Sequence, residues 1–211
     1  MVTLILLGII IIFSISFHEF SHALSAHILG DDTAKSNGRL TLDPTKHITL
    51  MGLLVMIVTQ FRFGWGNPTP INPNNLKNPR KDSLLIALAG PSSNIILSII
   101  ATIIIYLISI ININIGIAYK LDTFFIYMVI INIGLAIFNL IPIFPLDGSH
   151  ILPILLKDNY ALQDKINKYS ILILIILILP IIPINGTLES IIQIIISPVI
   201  SSIYSLLISF A

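Results

Sequence analysis

The sequence has few charged residues and no cysteine at all. Lys, Arg, Asp and Glu make up 10% of its 211 residues, against roughly a quarter of an ordinary soluble domain. The formal net charge of +1 provides no basic field of the kind that binds nucleic acid. Without cysteine the chain forms no disulfide, and any metal ligands must come from His, Asp and Glu. Only two glutamates are present, Glu19 and Glu189.

Hydrophobic residues make up 55% of the chain and gather in long runs. Because about 20 apolar residues span the hydrocarbon core of a bilayer, the sequence predicts an all-α, multi-pass protein of the cell membrane. We expect a single membrane domain over 1–211, with a core of about 1–156 and a C-terminal helical hairpin over 169–209. The five predicted spanning helices cover 2–29, 83–110, 122–141, 169–184 and 188–209.

Two stretches between these helices need separate interpretation. The apolar segment 48–61 reaches only about 21 Å as a helix, short of a roughly 30 Å core, so it either re-enters or crosses as a sixth segment. Within the polar stretch 30–47, the alternation in GRLTLDP predicts a strand of a small β-hairpin. At the start of the helix over 122–141, Asp122 and Thr123 are the predicted caps.

The distribution of Lys and Arg predicts the orientation in the membrane. If segment 48–61 re-enters, loops 30–82 and 142–168 share one side and hold ten Lys and Arg residues, against Lys120 alone opposite. If it crosses, the division is seven against four. The positive-inside rule favours re-entry. We therefore expect the N-terminus outside the cell and the C-terminal end of the first helix on the cytoplasmic side.

The stretch FHEFSH, residues 17–22, places a glutamate between two histidines inside the first apolar helix. Ionisable residues inside a membrane are costly and usually functional. His18 and His22 share one helix face, so their imidazoles can take two corners of a tetrahedral Zn²⁺ site with Glu19 beside them as general base. A structural cluster of buried histidines is the alternative, but chance produces HExxH in this composition only about once in a thousand sequences.

Two histidines leave a catalytic zinc one protein ligand short. The candidates are Asp147 in NLIPIFPLDG, His150 three residues later, and Glu189. Depth favours Asp147, because His18 lies about 16 residues into the first helix and Asn139 about 17 into the helix from 122, both roughly 25 Å from the outer side. Glu189 begins a helix on that outer side, too far from the histidines.

Several of these stretches together resemble one protein family. HEFSH and NLIPIFPLDG resemble the two metal motifs of the site-2 protease family of intramembrane zinc metalloproteases. LAGPSSN, residues 88–94, resembles the Gly-Pro-x-x-Asn segment of that family. GRLTLDPTKHI and FGWGNPTPIN resemble its small prokaryotic branch, which lacks PDZ and CBS domains. The resemblance runs from about residue 8 to residue 156.

The resemblance implies a zinc metalloendopeptidase with one zinc ion per chain. It would hydrolyse peptide bonds within or near transmembrane segments of membrane proteins, using a zinc-bound water activated by a glutamate. The expected partners are the lipid bilayer and a substrate with a partly unwound segment, which could pair with the GRLTL edge; no nucleic acid is expected. The implied site residues are His18, His22 and Asp147 as zinc ligands, Glu19 as base, and Asn94 and Asn139 nearby.

A membrane metal transporter or a zinc-binding sensor is the second hypothesis, since such proteins also place His and acidic residues on facing helices. The sequence shows no His-rich loop, second ligand cluster or internal repeat to favour it. The alternative for Asn94 and Asn139 is that they only join neighbouring helices and have no role at the active site. His27 is expected at the interface and His47 has no assigned role, whereas Gly148 is expected where the backbone passes close to the metal.

Overall fold

The computed structural model describes residues 2–58, 66–111, 114–157, 159–180, 182–184 and 187–208. The predicted all-α character is confirmed for most of these residues. The helices in chain order are α1 (Val2–Ile28), α2 (Thr33–Ser36), α3 (Pro44–His47), α4 (Leu50–Val58), α5 (Pro79–Ile110), α6 (Ile115–Asn139), α7 (Leu152–Leu155), α8 (Tyr160–Ile178) and α9 (Ile191–Ile208). Short 3₁₀ helices lie at Pro73–Asn75 and Asp147–Ile151. Strands β1 (Ile182–Ile184) and β2 (Thr187–Glu189) pair antiparallel, with Ile182 opposite Glu189.

In the part of the chain that the structure describes, three helices, α1, α5 and α6, are long and apolar enough to cross a membrane. Protein covers only a minor part of each, and apolar side chains such as Ile5, Ile9 and Phe13 of α1 are exposed. Such continuous apolar surface is costly in water and suits lipid. In α9 the apolar part is shorter, Ile191–Leu206, and α8 begins with polar turns earlier than the predicted start at 169.

The three long helices pack against one another around a small apolar core. Its buried members are Ile10 of α1, Ala101 and Ile105 of α5, and Met128 and Val129 of α6. Small residues such as alanine allow close approach of helices where the hydrophobic effect does not drive association. The core therefore fixes the relative positions of α1, α5 and α6, the three helices that surround the site described below.

Helix α6 begins earlier than the sequence predicts. Its first residue is Ile115, and Asn114 caps it by accepting the backbone N–H of Gly116 at 2.9 Å. The prediction of Asp122 and Thr123 as caps is therefore wrong. Asn is as good an N-cap as Asp, and the apolar residues between the two positions continue the helix instead of interrupting it.

Helix α4 is too short to cross the membrane. Its nine residues reach about 14 Å. At its two ends, Ile48 forms an antiparallel bridge with Gly66, and the N–H of Asn67 donates to the carbonyl of His47 at 2.6 Å. The chain thus returns at residue 66 to the place it left at residue 48, as a re-entrant segment does. Residues 59–61 of the predicted segment lie outside the described residues.

The strand predicted in GRLTLDP is absent from the described part of the chain between 33 and 58. Residues 38–43 instead form turns and irregular backbone between α2 and α3. Asp43 accepts the N–H of Thr45 at 3.0 Å and Pro44 occupies the first turn of α3, which is the usual chemistry of a helix start. No described strand lies beside these residues to pair with them. The prediction of a hairpin near the site is therefore wrong.

A buried carboxylate joins the end of α1 to the loop that precedes α5. Asp31 is fully buried and accepts hydrogen bonds from the backbone of Asn72 at 2.7 Å, from the side chain of Asn75 at 2.8 Å and from Thr33. Burial by itself raises the pKa of Asp31, but these bonds outweigh it and lower the pKa below its usual value. The 3₁₀ turn Pro73–Asn75 is therefore held against α1.

We predict that Asp31→Asn lowers the melting temperature of the detergent-purified protein, whereas Asp32→Asn, on an exposed neighbour, leaves it nearly unchanged. An amide must turn its NH₂ toward one of the donors of this network, which leaves a buried donor unsatisfied at a cost of about 1–3 kcal/mol.

Because the folded pKa of Asp31 is lowered, its stabilisation is fully present above the ordinary value of about 3.9 and is lost as the pH falls through the folded value. Thermal melts at neutral pH and near pH 3 measure this. Equal melting temperatures for wild type and Asp31→Asn at neutral pH would contradict the assignment.

Candidate metal centre

Two histidines and one aspartate converge where α1, α5 and the 3₁₀ helix Asp147–Ile151 meet. The Nε2 atoms of His18 and His22 lie 3.0 Å apart. The Oδ2 atom of Asp147 lies 3.1 Å from Nε2 of His18 and 3.3 Å from that of His22. Among the described residues, these three form the one group of His, Asp and Glu side chains with converging ligand atoms. The structure thus brings together the three ligands expected from the sequence.

Asp147 reaches the histidines because the chain folds back tightly after α6. A Cβ on Gly148 would overlap the carbonyls of Leu140 and Ile141, so only glycine permits this close approach. The sequence predicts Gly148 to lie where backbone passes the metal; the structure instead shows it packed on the last carbonyls of α6. The turn between residues 140 and 148 therefore sets the position of Asp147.

Hydrogen bonds at the far side of each imidazole decide which nitrogen faces the centre. Nδ1 of His22 lies 2.7 Å from the carbonyl oxygen of Ile86. A carbonyl only accepts, so Nδ1 carries the proton and donates. Nδ1 of His18 likewise lies 2.7 Å from Oδ1 of Asn94. In each neutral imidazole the Nε2 lone pair therefore points into the centre.

The three converging atoms are all electron-pair donors. Burial by itself raises the pKa of Asp147, but the adjacent His18 and His22 outweigh it and hold this pKa well below its usual range. Asp147 is thus ionised at neutral pH, and its buried Oδ2 atom makes no hydrogen bond within the described part of the chain. Donors this close repel unless a cation lies between them, either a proton in the metal-free chain or a metal ion.

Helix α5 leaves room for such an ion. A Cβ on Gly90 would lie 2.6 Å from Nε2 of His18 and in overlap with Nε2 of His22. The missing side chain thus opens a cradle in front of both nitrogens. Two imidazole nitrogens and a carboxylate oxygen form a ligand set typical of catalytic zinc, which keeps its fourth position open. The residues present fit zinc.

Glu19 lies beside the two histidines and is held by the loop that precedes α5. Its Oε2 atom accepts the backbone N–H of Thr69 at 2.9 Å, and the Thr69 hydroxyl lies 2.8 Å from the same oxygen. The other oxygen, Oε1, faces the position that a Cβ on Gly66 would take, 3.6 Å away. One oxygen of Glu19 is therefore anchored by Thr69, and the other faces Gly66.

A buried arginine supports the same loop. Arg39 donates from its guanidinium to the carbonyl of Asn67, two residues before Thr69. Burial lowers the pKa of Arg39, and the negative charge of Glu19 opposes this. A positive charge thus lies near the Glu19 carboxylate.

The structure places the two predicted asparagines differently. Asn94 is fully buried and touches His18, but its amide is engaged at both ends, by His18 and by Asn132. Asn139 is half-buried and donates to the carbonyl of Leu135 in its own helix. The contacts of Asn94 support a role in holding a histidine rather than in binding substrate.

Three residues of the site were not predicted individually. Thr69 and Gly90 lie in FGWGNPTPIN and LAGPSSN, two stretches that resemble the family. The resemblance does not show which residues they contact. Asn132 was missed, yet a lone amide in the apolar run VIINIGL is the kind of signal that marks function inside a membrane.

Among the described residues, the remaining histidines and Glu189 are not members of the ligand cluster. His27 pairs with Asp32 at the end of α1, consistent with the predicted interfacial position. His47 is fully buried, with Nε2 2.6 Å from the carbonyl of Thr41. His150 is exposed, and Glu189 belongs to strand β2.

Comparison with known proteins adds an independent line of support. The sequence pattern of peptidase family M50 matches residues 106–181, which include Asp147. "Putative zinc metalloprotease YwhC" of Bacillus subtilis is 37% identical over 174 residues, covering 81% of this chain and 78% of the relative. "Putative zinc metalloprotease Rip2" of Mycolicibacterium smegmatis is 31% identical over 90 residues, covering 41% of this chain and 34% of that protein.

No solved structure matches the chain at a significant level. The relative from Bacillus subtilis is matched over most of both chains, and this identity and coverage are high enough to assign the family. With the converging histidines and aspartate, these findings lead to one conclusion: the chain belongs to peptidase family M50, the site-2 protease family, and is a metalloprotease of the membrane.

Proposed function

We propose that this metalloprotease hydrolyses peptide bonds within or near transmembrane segments of other membrane proteins. The observation that carries the proposal is the set of three buried electron-pair donors with Glu19 beside them, inside an apolar helix. His22 lies six residues before the end of the apolar span Leu4–Ile28, about 9 Å along the helix. Chemistry at this depth takes place on substrates that are themselves in the membrane.

His18, His22 and Asp147 would hold one zinc ion per chain, with the Gly90 cradle providing its space. Zinc, when bound, supplies Lewis-acid chemistry for attack of water on a carbonyl. Asp147 contributes the negative charge that partly neutralises the ion. Ile86 and Asn94 keep the two imidazoles in the tautomer that presents Nε2.

Glu19 would move the proton. Thr69 holds Oε2, so Oε1 takes the proton from the attacking water and then returns it to the leaving amine. Arg39 places a positive charge near this carboxylate. Asn139, near the end of α6, is our candidate for a contact with the substrate backbone.

The substrate must present an extended backbone, because peptide bonds in a helix are shielded by their own hydrogen bonds. Unwinding in lipid frees backbone groups that need new partners. The loop from Gly66 to Thr69, which already pairs with Ile48 and binds Glu19, runs beside the site. We therefore expect membrane substrates with a locally weakened helix.

We predict that purified wild-type protein, reconstituted with a single-span membrane substrate carrying helix-weakening residues, cleaves it and contains one zinc per chain. Glu19→Gln should keep zinc and lose cleavage by at least about 100-fold, the low end of general-base contributions. Asp147→Ala should lose both. Zinc content by mass spectrometry and cleavage by gel electrophoresis give the readouts.

His150→Ala, which removes an exposed histidine near Asp147, is the matched control and should keep both zinc and cleavage. If Glu19→Gln retains cleavage, the assignment of the base is wrong. A metal transporter, the second hypothesis, would instead show several exchangeable zinc ions per chain and zinc flux across vesicles without cleavage of any substrate.

We also propose that α8 and α9 cross the membrane with α1, α5 and α6, and that the N-terminus is outside the cell. Loops 30–82 and 142–168 then lie on the cytoplasmic side with ten of the eleven Lys and Arg residues. The active site would open toward that side.

The absence of cysteine makes this orientation testable with single introduced cysteines. We expect a membrane-impermeant maleimide to label Ile115→Cys on intact cells, and to label Asn74→Cys only after the cells are opened. Both side chains are exposed, so each reacts wherever the reagent reaches it. The reverse pattern would contradict the proposed orientation.

A further inference from the structure

We propose that Asn132 is a positioning residue for the metal centre, acting through Asn94 on His18. The proposal rests on the proposed function, because it assumes that His18 binds zinc. It assigns a role to a residue in the middle of α6 that touches neither the ligand atoms nor Glu19.

A chain of hydrogen bonds links the three long helices at this point. Nδ1 of His18 lies 2.7 Å from Oδ1 of Asn94, and Nδ2 of Asn94 donates to Oδ1 of Asn132 at 2.8 Å. Nδ2 of Asn132 then donates to the carbonyl of Met128 at 2.8 Å and to the hydroxyl of Ser14 at 2.9 Å. Asn94, Asn132 and Ser14 are all fully buried, so water cannot substitute for any of these partners.

The carbonyl of Met128 determines the direction of the whole chain. A carbonyl only accepts, so Asn132 must turn its NH₂ toward Met128 and its oxygen toward Asn94. Asn94 must then turn its NH₂ toward Asn132 and its oxygen toward His18. Nδ1 of His18 must therefore carry the proton. A backbone group of α6 thus fixes the tautomer of a ligand on α1, three hydrogen bonds away.

This direction matters for zinc binding. A neutral imidazole has one protonated nitrogen, and only the other can bind a metal. If Asn94 were free to turn its NH₂ toward His18, Nδ1 would accept and Nε2 would carry the proton, pointing it at the metal position. Loss of a group that orients a metal ligand typically weakens metal binding by about 10–100-fold.

The competing explanation is that Asn132 is only interhelical glue, which buried polar residues commonly provide in membranes. Two substitutions separate the alternatives. A buried, protonated Asp at position 132 offers a carbonyl to Asn94 and an O–H to Met128, which preserves the direction of the chain. A Leu of similar size preserves packing but offers neither, so Asn94 loses the partner that orients it.

The experiment measures the zinc affinity of purified wild type, Asn132→Asp and Asn132→Leu by competition with a chromophoric chelator, with thermal melts to report folding. We expect Asn132→Leu to bind zinc about 10–100-fold more weakly and Asn132→Asp to stay close to wild type. Ser98→Ala is the control: Ser98 is buried one turn from Asn94 on α5, but its hydroxyl donates to the carbonyl of Ile95. It should leave zinc affinity unchanged.

Equal zinc affinity in Asn132→Leu and wild type would overturn the proposal, and so would weaker binding by Asn132→Asp than by Asn132→Leu. If either protein fails to fold, Asn94→Asp and Asn94→Leu give the same comparison one bond closer to His18. Cleavage assays separate the two proposals. If Asn132→Leu weakens zinc binding but the wild type cleaves no substrate, the role of Asn132 stands and the proposed protease function is wrong. If the wild type binds no zinc, both proposals are wrong.

Discussion

The structure depends on one electrostatic requirement: two buried imidazole nitrogens and a carboxylate oxygen face each other at about 3 Å and need a cation between them. Each nearby feature serves that requirement. Gly90 leaves the space, Gly148 lets the turn after α6 deliver Asp147, and the outer hydrogen bonds of both imidazoles direct their lone pairs inward. The apolar core of α1, α5 and α6 holds these groups in register across three helices.

The non-helical part of the chain supplies the remaining chemistry. The loop before α5 is tied to the end of α1 by Asp31, supported by Arg39, and closed on itself where Ile48 meets Gly66. Its Thr69 then anchors one oxygen of Glu19. The proposed ligands thus come from helix α1 and a tight turn, whereas Glu19, the proposed base, is positioned by a loop.

Much of the site could be predicted from the sequence because its information is local. His18, Glu19 and His22 follow from helical periodicity inside an apolar run. Asp147 was expected near them from its depth, and the structure places it there, although α6 begins seven residues earlier than the sequence predicts. The strand in GRLTLDP failed because a strand needs a partner, and Asp43 with Pro44 starts a helix instead. The link from His18 to Asn132 depends on contacts between three helices, which no periodicity encodes.

Zinc K-edge X-ray absorption of the detergent-purified protein reports directly on the atoms that bind the metal. We predict a first shell of nitrogen and oxygen at about 2.0–2.2 Å, with outer-shell scattering from two imidazoles, and loss of half of that imidazole signal or of the zinc itself in His22→Ala. A spectrum without imidazole scattering, or one that His22→Ala leaves unchanged, would place the zinc elsewhere and contradict the proposed ligand set.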